Sequence, residues 1–201
     1  MAKSQIIKDL ATEKVSLSSA FHRLMIIASD IGSVDLMQWA EKELNGYQKY
    51  NELPEYRKLN LMNFQYTGIN GSFQVTNVSL PLGFLKPSTL KKVSAVGIFD
   101  GIAELERNAE IKEVAYRDVS YLAGEIYEES GGVQCISVRQ IIPTQQYTKI
   151  LSNIKTRLLG ILLKIDKEYG NMDDLDVAIS DKDPEMIKKI NISIEKMITQ
   201  D

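Results

Sequence analysis

The apolar positions near the start of the chain recur at helical intervals. Apolar side chains three or four positions apart over residues 17–31 predict a helix. Gly32 ends this helix, and Ser33 has the side chain expected of the N-cap of a second one. Gly46 follows the second helix, where a residue without a Cβ tolerates a positive φ. We therefore predict a helical hairpin, preceded by a short helix over residues 4–13.

The period changes to strand-like alternation in the middle of the chain. Apolar and polar side chains alternate over residues 62–67, which predicts a strand. Asn70 and Gly71 follow, and both tolerate the positive φ of a type I′ turn, so we predict a hairpin with a return strand over residues 73–82. The β-branched segment 133–142 predicts a third strand.

The remaining segments mostly have helical spacing. We predict a loop marked by Pro81 and Pro87, then helices over residues 100–108 and 113–128. The clearest helix covers residues 144–169, where an apolar seam is long enough to organise a core.

These elements predict an α+β fold. Its parts are an N-terminal helical hairpin, a small antiparallel sheet in the middle, a long C-terminal core helix and a last short helix. We predict one domain over residues 1–170, a polar linker over residues 171–183, and a C-terminal helix over residues 184–201. The isoleucines of that last helix favour docking on the core or self-association.

Composition narrows the class of protein. An apolar fraction of 44% and a charged fraction of 25% are typical of a folded soluble domain. The net charge of −3 lacks the basic excess of a nucleic-acid-coating protein, so we do not expect a nucleic-acid partner. The polar N-terminus does not resemble a signal peptide, and no apolar run is long enough to span a membrane. A single cysteine is consistent with a reducing compartment, so we expect a cytoplasmic protein.

Residues with catalytic chemistry are few. His22 and Cys135 are the only histidine and the only cysteine, and neither can be assigned a partner from the sequence. The glycine-rich motifs of nucleotide-binding loops are absent, as is the nucleophile elbow of hydrolases. Asp173, Asp174 and Asp176 lack the spacing and the closing glutamate of a calcium loop. We therefore expect no enzyme, no catalytic residue, no metal and no cofactor.

One segment, residues 21–57, resembles the N-terminal AbiTii domain of bacterial abortive-infection proteins. The family pattern has Ala-Ser-x-Leu-Gly at the end of one helix, then Trp and Glu-Leu-Asn-Gly-Tyr in the next, then Leu-Pro-x-Tyr-Arg. The matching residues are Ala28, Ser29, Gly32, Trp39, Glu43, Leu44, Asn45, Gly46, Tyr47, Leu53, Pro54, Tyr56 and Arg57. Ile31 stands where the family has leucine. The segment over residues 151–170 is similar to the family's closing helix but keeps only its second basic position, Arg157.

The resemblance implies a place in antiphage abortive infection. It favours a non-catalytic sensing or interaction module that contacts a protein partner, a phage component or a second copy of itself. An alternative is a sensor for a nucleotide or another small anionic signal, in which Tyr47 and Tyr56 stack on a base and Arg57 pairs with a phosphate. A nuclease-type toxin is a third interpretation.

The segment that carries the resemblance is also the candidate site. One interpretation is a structural clasp, in which Asn45 and Gly46 end the helix while Tyr56 and Arg57 anchor the following loop near Glu43. The other is a direct binding surface. If the clasp is correct, alanine variants lose stability before they lose a specific activity. The candidate residues are Trp39, Glu43, Asn45, Gly46, Tyr47, Pro54, Tyr56 and Arg57.

Overall fold

The computed structural model of the chain describes residues 3–111, 114–173 and 184–199. Helices and antiparallel strands in these ranges confirm the α+β class. The helices are α1 (Gln5–Ala11), α2 (Leu17–Asp30), α3 (Val34–Asn45), α4 (Pro87–Ser94), α5 (Ile102–Glu110), α6 (Ala123–Ser130), α7 (Thr144–Tyr169) and α8 (Pro184–Thr199). The strands are β1 (Lys58–Asn60), β2 (Phe64–Asn70), β3 (Phe73–Ser79), β4 (Ala95–Gly97), β5 (Ala115–Asp118) and β6 (Gln134–Ile142).

The chain divides into two compact units. The first contains Met1–Tyr56, Phe99–Glu106 and Thr148–Asp201, and the second contains Arg57–Ile98 and Arg107–Tyr147. The division into residues 1–170, 171–183 and 184–201 stays a prediction, and residues 174–183 of the predicted linker lie outside the described residues.

The first unit is helical. α2 and α3 form the predicted hairpin, and Gly32 between them has a φ of 63°. The interior side chains of α7 from Ile154 to Ile165 are buried at the predicted three- and four-residue spacing. α7 has 26 residues, but among the described residues no helix is both long and apolar enough to cross a membrane.

The N-terminus of the first unit is attached to α7 by a buried carboxylate. Asp166 accepts hydrogen bonds from the backbone N–H of Ser4 at 3.0 Å and from the Ser4 hydroxyl, and Lys3 Nζ lies 2.9 Å away. Ser4 Oγ in turn accepts from the backbone N–H of Met172 at 3.0 Å. These contacts connect the chain before α1 with the chain after α7.

The second unit is built on an antiparallel sheet with the strand order β3-β2-β6-β5. Phe64, Tyr66 and Val138 lie on its covered face and pack in one core cluster with side chains from α6 and the segments around it. β1 and β4 form a separate antiparallel pair. The predicted strand 133–142 is confirmed as β6, which is paired on both sides.

Two predictions were wrong in this unit, one of a loop and one of a helix. Pro87 does not mark a loop: it is the first residue of α4, where its missing N–H would have no helical partner anyway. The helix predicted over residues 113–128 begins only at Ala123, because residues 115–118 pair with β6 as β5. Val119, Leu122 and Ile126 gave that segment its helical spacing, and all three are buried in the core cluster.

The hairpin between β2 and β3 also differs from the prediction. β3 ends at Ser79, before the predicted residue 82. Asn70 pairs with Phe73, so the turn residues are Gly71 and Ser72, and only Gly71 has a positive φ, of 62°. This is the pattern of a type II′ turn, and the predicted type I′ turn was wrong.

Gly68 lies where the register of β2 shifts against both of its neighbours. The shifts fall between Tyr66 and Gly68 in the pairing with β3, and between Thr67 and Gly68 in the pairing with β6. A Cβ on Gly68 would lie 1.9 Å from the carbonyl oxygen of Gln134. Only glycine therefore fits at this point of the sheet.

We expect Gly68→Ala to destabilise the protein strongly. The new methyl group would have to displace the β6 backbone, and the free energy of unfolding should fall by about 1–3 kcal/mol. Urea unfolding followed by circular dichroism measures the change.

Gly124→Ala is the matched control, because a Cβ at Gly124 meets nothing within 4 Å in α6. This substitution should be neutral or stabilise by up to about 1 kcal/mol. Equal, small effects of both substitutions would contradict the packing argument.

Candidate functional site

The site is built on the buried face of α3. Trp39 and Glu43 are one helical turn apart and point the same way. The Trp39 ring packs on Phe21 of α2 with 5.0 Å between the ring centroids. The Glu43 side chain is completely buried. A buried carboxylate is costly unless it accepts hydrogen bonds, so the surroundings of Glu43 decide the local structure.

Two tyrosine hydroxyls donate to the same oxygen of Glu43. Tyr47 Oη and Tyr56 Oη each lie 2.6 Å from Glu43 Oε1. Trp39 Nε1 donates to Tyr56 Oη at 3.2 Å, so this hydroxyl both accepts and donates. Hydrogen bonds to a carboxylate are shorter and stronger than those between neutral groups. The network therefore holds the loop after α3 against the helix.

A close approach between two backbone segments supports the start of this loop. Gly46, the C-cap residue of α3, has a φ of 89°, as the sequence predicted. It is also needed for space, since a Cβ there would lie 2.5 Å from Phe99 O. On the other segment, a Cβ on Gly101 would lie 2.3 Å from Leu44 O. The Tyr47 N–H donates to Phe99 O at 2.8 Å and ties the two segments together.

The candidate residues outside the network have separate surroundings. Asn45 is exposed at the end of α3, and Pro54 is half-buried in the loop. Arg57 belongs to the second unit, where it is completely buried and donates from Nη1 to Ile98 O at 3.3 Å. The predicted proximity of Arg57 to Glu43 stays a prediction.

A cavity of about 370 Å³ lies in the first unit beside this network. We call it the signature cavity, and we define it by its principal lining residues: Asp35, Trp39 and Lys42 of α3, residues 47 and 52–55 of the loop, and Glu195 and Ile198 of α8. Its walls are mixed, with aromatic and aliphatic side chains between charged ones. Three of the predicted residues, Trp39, Tyr47 and Pro54, contribute to it.

Arg157 of α7 connects the network to α8. Its guanidinium carbon lies 4.7 Å from the centroid of the Tyr56 ring. Its Nη1 donates to Met197 O at 3.1 Å and to Ile198 O at 3.5 Å, in the last turn of α8, where carbonyl groups have no helical partner. Arg157 therefore positions the end of α8 that forms one wall of the signature cavity.

Sequence reasoning missed the contribution of α8. Ile190 and Ile194 are buried and α8 packs on α3, which brings Glu195 and Ile198 to the cavity. The available signal was the isoleucine spacing of α8, which indicates a packed helix but not its position. Arg157 was identified only as a retained basic position of the family pattern.

The other chemically reactive residues lie elsewhere. His22 is exposed on α2, and burial raises the pKa of the Cys135 thiol in β6. Asp173 accepts from the Gln5 backbone N–H, while Asp174 and Asp176 lie outside the described residues. Within the described ranges, no group of three His, Cys, Asp or Glu side chains is placed to hold a metal ion.

We expect Tyr47→Phe to destabilise the protein by about 1–3 kcal/mol, because it removes a donor from a buried carboxylate. Chemical unfolding measures the change. Tyr56→Phe removes the second donor to the same oxygen, so a double-mutant cycle of the two substitutions should show a coupling energy.

Tyr121→Phe is the control, since Tyr121 is 76% exposed, and its effect should stay within about 0.5 kcal/mol. Full retention of stability in Tyr47→Phe would contradict the structural role of the network.

Comparison with known families gives a match that covers most of the chain. The AbiTii family matches residues 4–189, which extends the resemblance seen in the sequence into α8. Comparisons with curated proteins and with solved structures found no match. The match to the family includes α3, the loop after it and α7, the elements that carry the network. The chain therefore belongs to the AbiTii family, and this membership suggests a role in bacterial abortive infection.

Proposed function

We propose that this protein is a non-catalytic recognition module of an abortive-infection system and that it contacts a protein partner at the signature cavity. The observation that carries the proposal is the position of the cavity: its wall contains Trp39, Tyr47 and Pro54, which belong to the signature of the family.

The rigidity of the wall supports recognition. Trp39 and Tyr47 are held by the hydrogen bonds around Glu43 and are only 5% and 8% exposed. A surface that is ordered before binding loses less conformational entropy when it meets its partner. The volume of the cavity lies at the lower end of the range of about 300–1,000 Å³ for binding pockets.

The non-catalytic part of the proposal rests on the chemistry of the cavity. Its ionisable groups are carboxylates, one tyrosine and one lysine, and the residues described in its lining include no histidine or cysteine. The described lining contains no serine, threonine or cysteine nucleophile paired with a histidine base. A nuclease-type toxin therefore has less support than a binding role.

The two other modes of action have weaker support. Two isoleucines of the predicted self-association seam, Ile190 and Ile194, are buried in their own unit. A nucleotide sensor would require Arg57 to reach a phosphate, and that side chain is completely buried. Four carboxylates in the cavity lining would also repel a phosphate.

We expect cavity variants to abolish protection against phage without unfolding the protein. Gln38 is an exposed residue of the cavity lining, and Gln38→Trp would fill part of the space. The host carries the gene for the protein with its native neighbouring genes. Phage plaque counts on cells with the variant should be about tenfold or more above those on cells with the wild-type protein. A tenfold loss of affinity for the partner would correspond to about 1.4 kcal/mol of binding free energy.

The control is Gln74→Trp, which places the same side chain on the exposed strand β3. It should leave protection intact, and both variants should keep the melting temperature of the wild type. Unchanged protection in Gln38→Trp would overturn the proposal.

We expect no stabilisation of the protein by nucleotides. A thermal-shift series with linear and cyclic nucleotides at millimolar concentration should leave the melting temperature unchanged. A ligand at 100 times its Kd would stabilise the folded state by about 2.7 kcal/mol, which such an assay detects. A clear rise in melting temperature would favour the sensor for an anionic signal instead.

A further inference from the structure

We propose that two copies of this chain pair through the edge strand β3 and join their sheets into one. The interface belongs to the second unit and uses none of the described lining residues of the signature cavity, so the inference goes beyond the proposed function. It also differs from self-association through α8, because the contact is made by the backbone of a strand. The charges of the sequence, the exposure of β3 and the direction of its backbone groups carry it.

The segment around β3 contains no charged residue. Residues 59–85 include no Asp, Glu, Lys, Arg or His, although 25% of the whole chain is charged. Uncharged strands are common in the interior of a protein. Five of the seven residues of β3 are exposed, however, so this strand is not an interior one. An exposed, uncharged edge strand is a template for pairing with a further strand.

The two edges of the four-stranded sheet differ in this respect. One edge is β5, which has four residues and includes Arg117 and Asp118. Short length and charged side chains are the features that protect a sheet edge from pairing. The other edge is β3, which has seven residues, and within the described ranges only β2 pairs with it. The sheet therefore has one protected edge and one open edge.

The register of the hairpin shows which backbone groups of β3 point outward. Asn70 and Phe73 flank the two-residue turn, and the residues in this position exchange hydrogen bonds. Because bonded and non-bonded pairs alternate in an antiparallel ladder, the N–H and C=O of Gln74 point away from β2. Those of Thr76, two residues further along, point the same way. Gln74 and Thr76 are both exposed, so their donors and acceptors lie at the open edge.

An antiparallel second copy of β3 satisfies these groups by symmetry. With the twofold axis at Val75, Gln74 of each copy lies opposite Thr76 of the other, and each such pair exchanges two hydrogen bonds. The two Val75 side chains lie opposite each other, and the pairing opposes no like charges. Phe73, which is 76% exposed, lies diagonally next to Val75 of the second copy. Pairing therefore covers an aromatic side chain that is exposed in a single copy.

A bulge limits how far the pairing extends. Thr76 and Asn77 together oppose the single Thr67 of β2, and Asn77 has a φ of 51° and donates from its backbone N–H to Thr67 Oγ1 at 3.0 Å. The regular edge therefore ends before Asn77, which fixes the register and keeps the interface small. Because the opposite edge is protected, the association closes at two copies instead of growing into a fibre.

Sedimentation equilibrium of the full chain measures this association. Since a small interface gives low affinity, we expect a concentration-dependent dimer with a Kd in the micromolar to millimolar range. Hydrogen exchange in dilute and in concentrated samples locates the contact. The amides of Gln74 and Thr76 should exchange more slowly in the concentrated sample, because they become hydrogen-bonded there.

Charge variants test the register. Gln74→Lys combined with Thr76→Lys brings like charges opposite each other and should weaken the dimer by about tenfold or more. Gln74→Lys combined with Thr76→Glu brings opposite charges together in the same register, so this dimer should be at least as tight as that of the wild type. All substituted side chains are exposed, and urea unfolding checks that the variants remain folded.

The matched control is Gln134→Lys combined with Ile136→Lys. It adds the same charge at exposed positions of β6, an inner strand of the same sheet, and should leave the Kd within about twofold of the wild type. Gln74→Trp, the control for phage protection, changes only a side chain and keeps the backbone groups of the edge, so it should pair as the wild type does.

A chain that stays monomeric at millimolar concentration overturns the proposal, and so does exchange protection that lies outside β3. Equal weakening of the dimer by the lysine pair on β3 and by the control on β6 overturns it as well. None of these results bears on the proposed function, which stands or fails with Gln38→Trp.

Discussion

The organisation of the first unit depends on the burial of one carboxylate. Glu43 is completely enclosed, and burying a carboxylate costs several kcal/mol unless hydrogen bonds replace the lost water. Tyr47 and Tyr56 provide these bonds at 2.6 Å, and each comes from the loop that α3 leads into. The two tyrosine hydroxyls offset part of the cost of burying Glu43 when the loop is in place, so the loop is coupled to the helix. The wall of the signature cavity is a product of this coupling.

The elements that the sequence predicted correctly have local causes. The hairpin of α2 and α3 follows from helical spacing interrupted by Gly32 and Gly46, and α7 follows from an apolar seam along a helix of 26 residues. The strand β5 was not predicted, because its four residues form a strand by pairing with β6 and have no strand-like pattern of their own. The helix α4 was not predicted, because Pro87 was interpreted as marking a loop although it is the first residue of the helix.

The site could be predicted only in part, because some of its contacts join segments that are distant in the sequence. The signature residues could be identified from a resemblance, and the C-cap role of Gly46 follows from its missing Cβ. The partner segment at Gly101 and the wall formed by Glu195 could not be predicted, because no local pattern relates them to α3. Contacts of this kind depend on tertiary packing, so they cannot be predicted from the local pattern of a single sequence.

The division of the chain into units has a consequence for its synthesis. The second unit lies within Arg57–Tyr147, so all of its residues have been made while the first unit still lacks Thr148–Asp201. At that stage α3 and its loop exist, but α8 and most of α7, including Arg157, do not. A nascent chain of this length can complete the sheet of the second unit, whereas the signature cavity has no α8 wall. The signature cavity is therefore completed only after all residues of the second unit have been made.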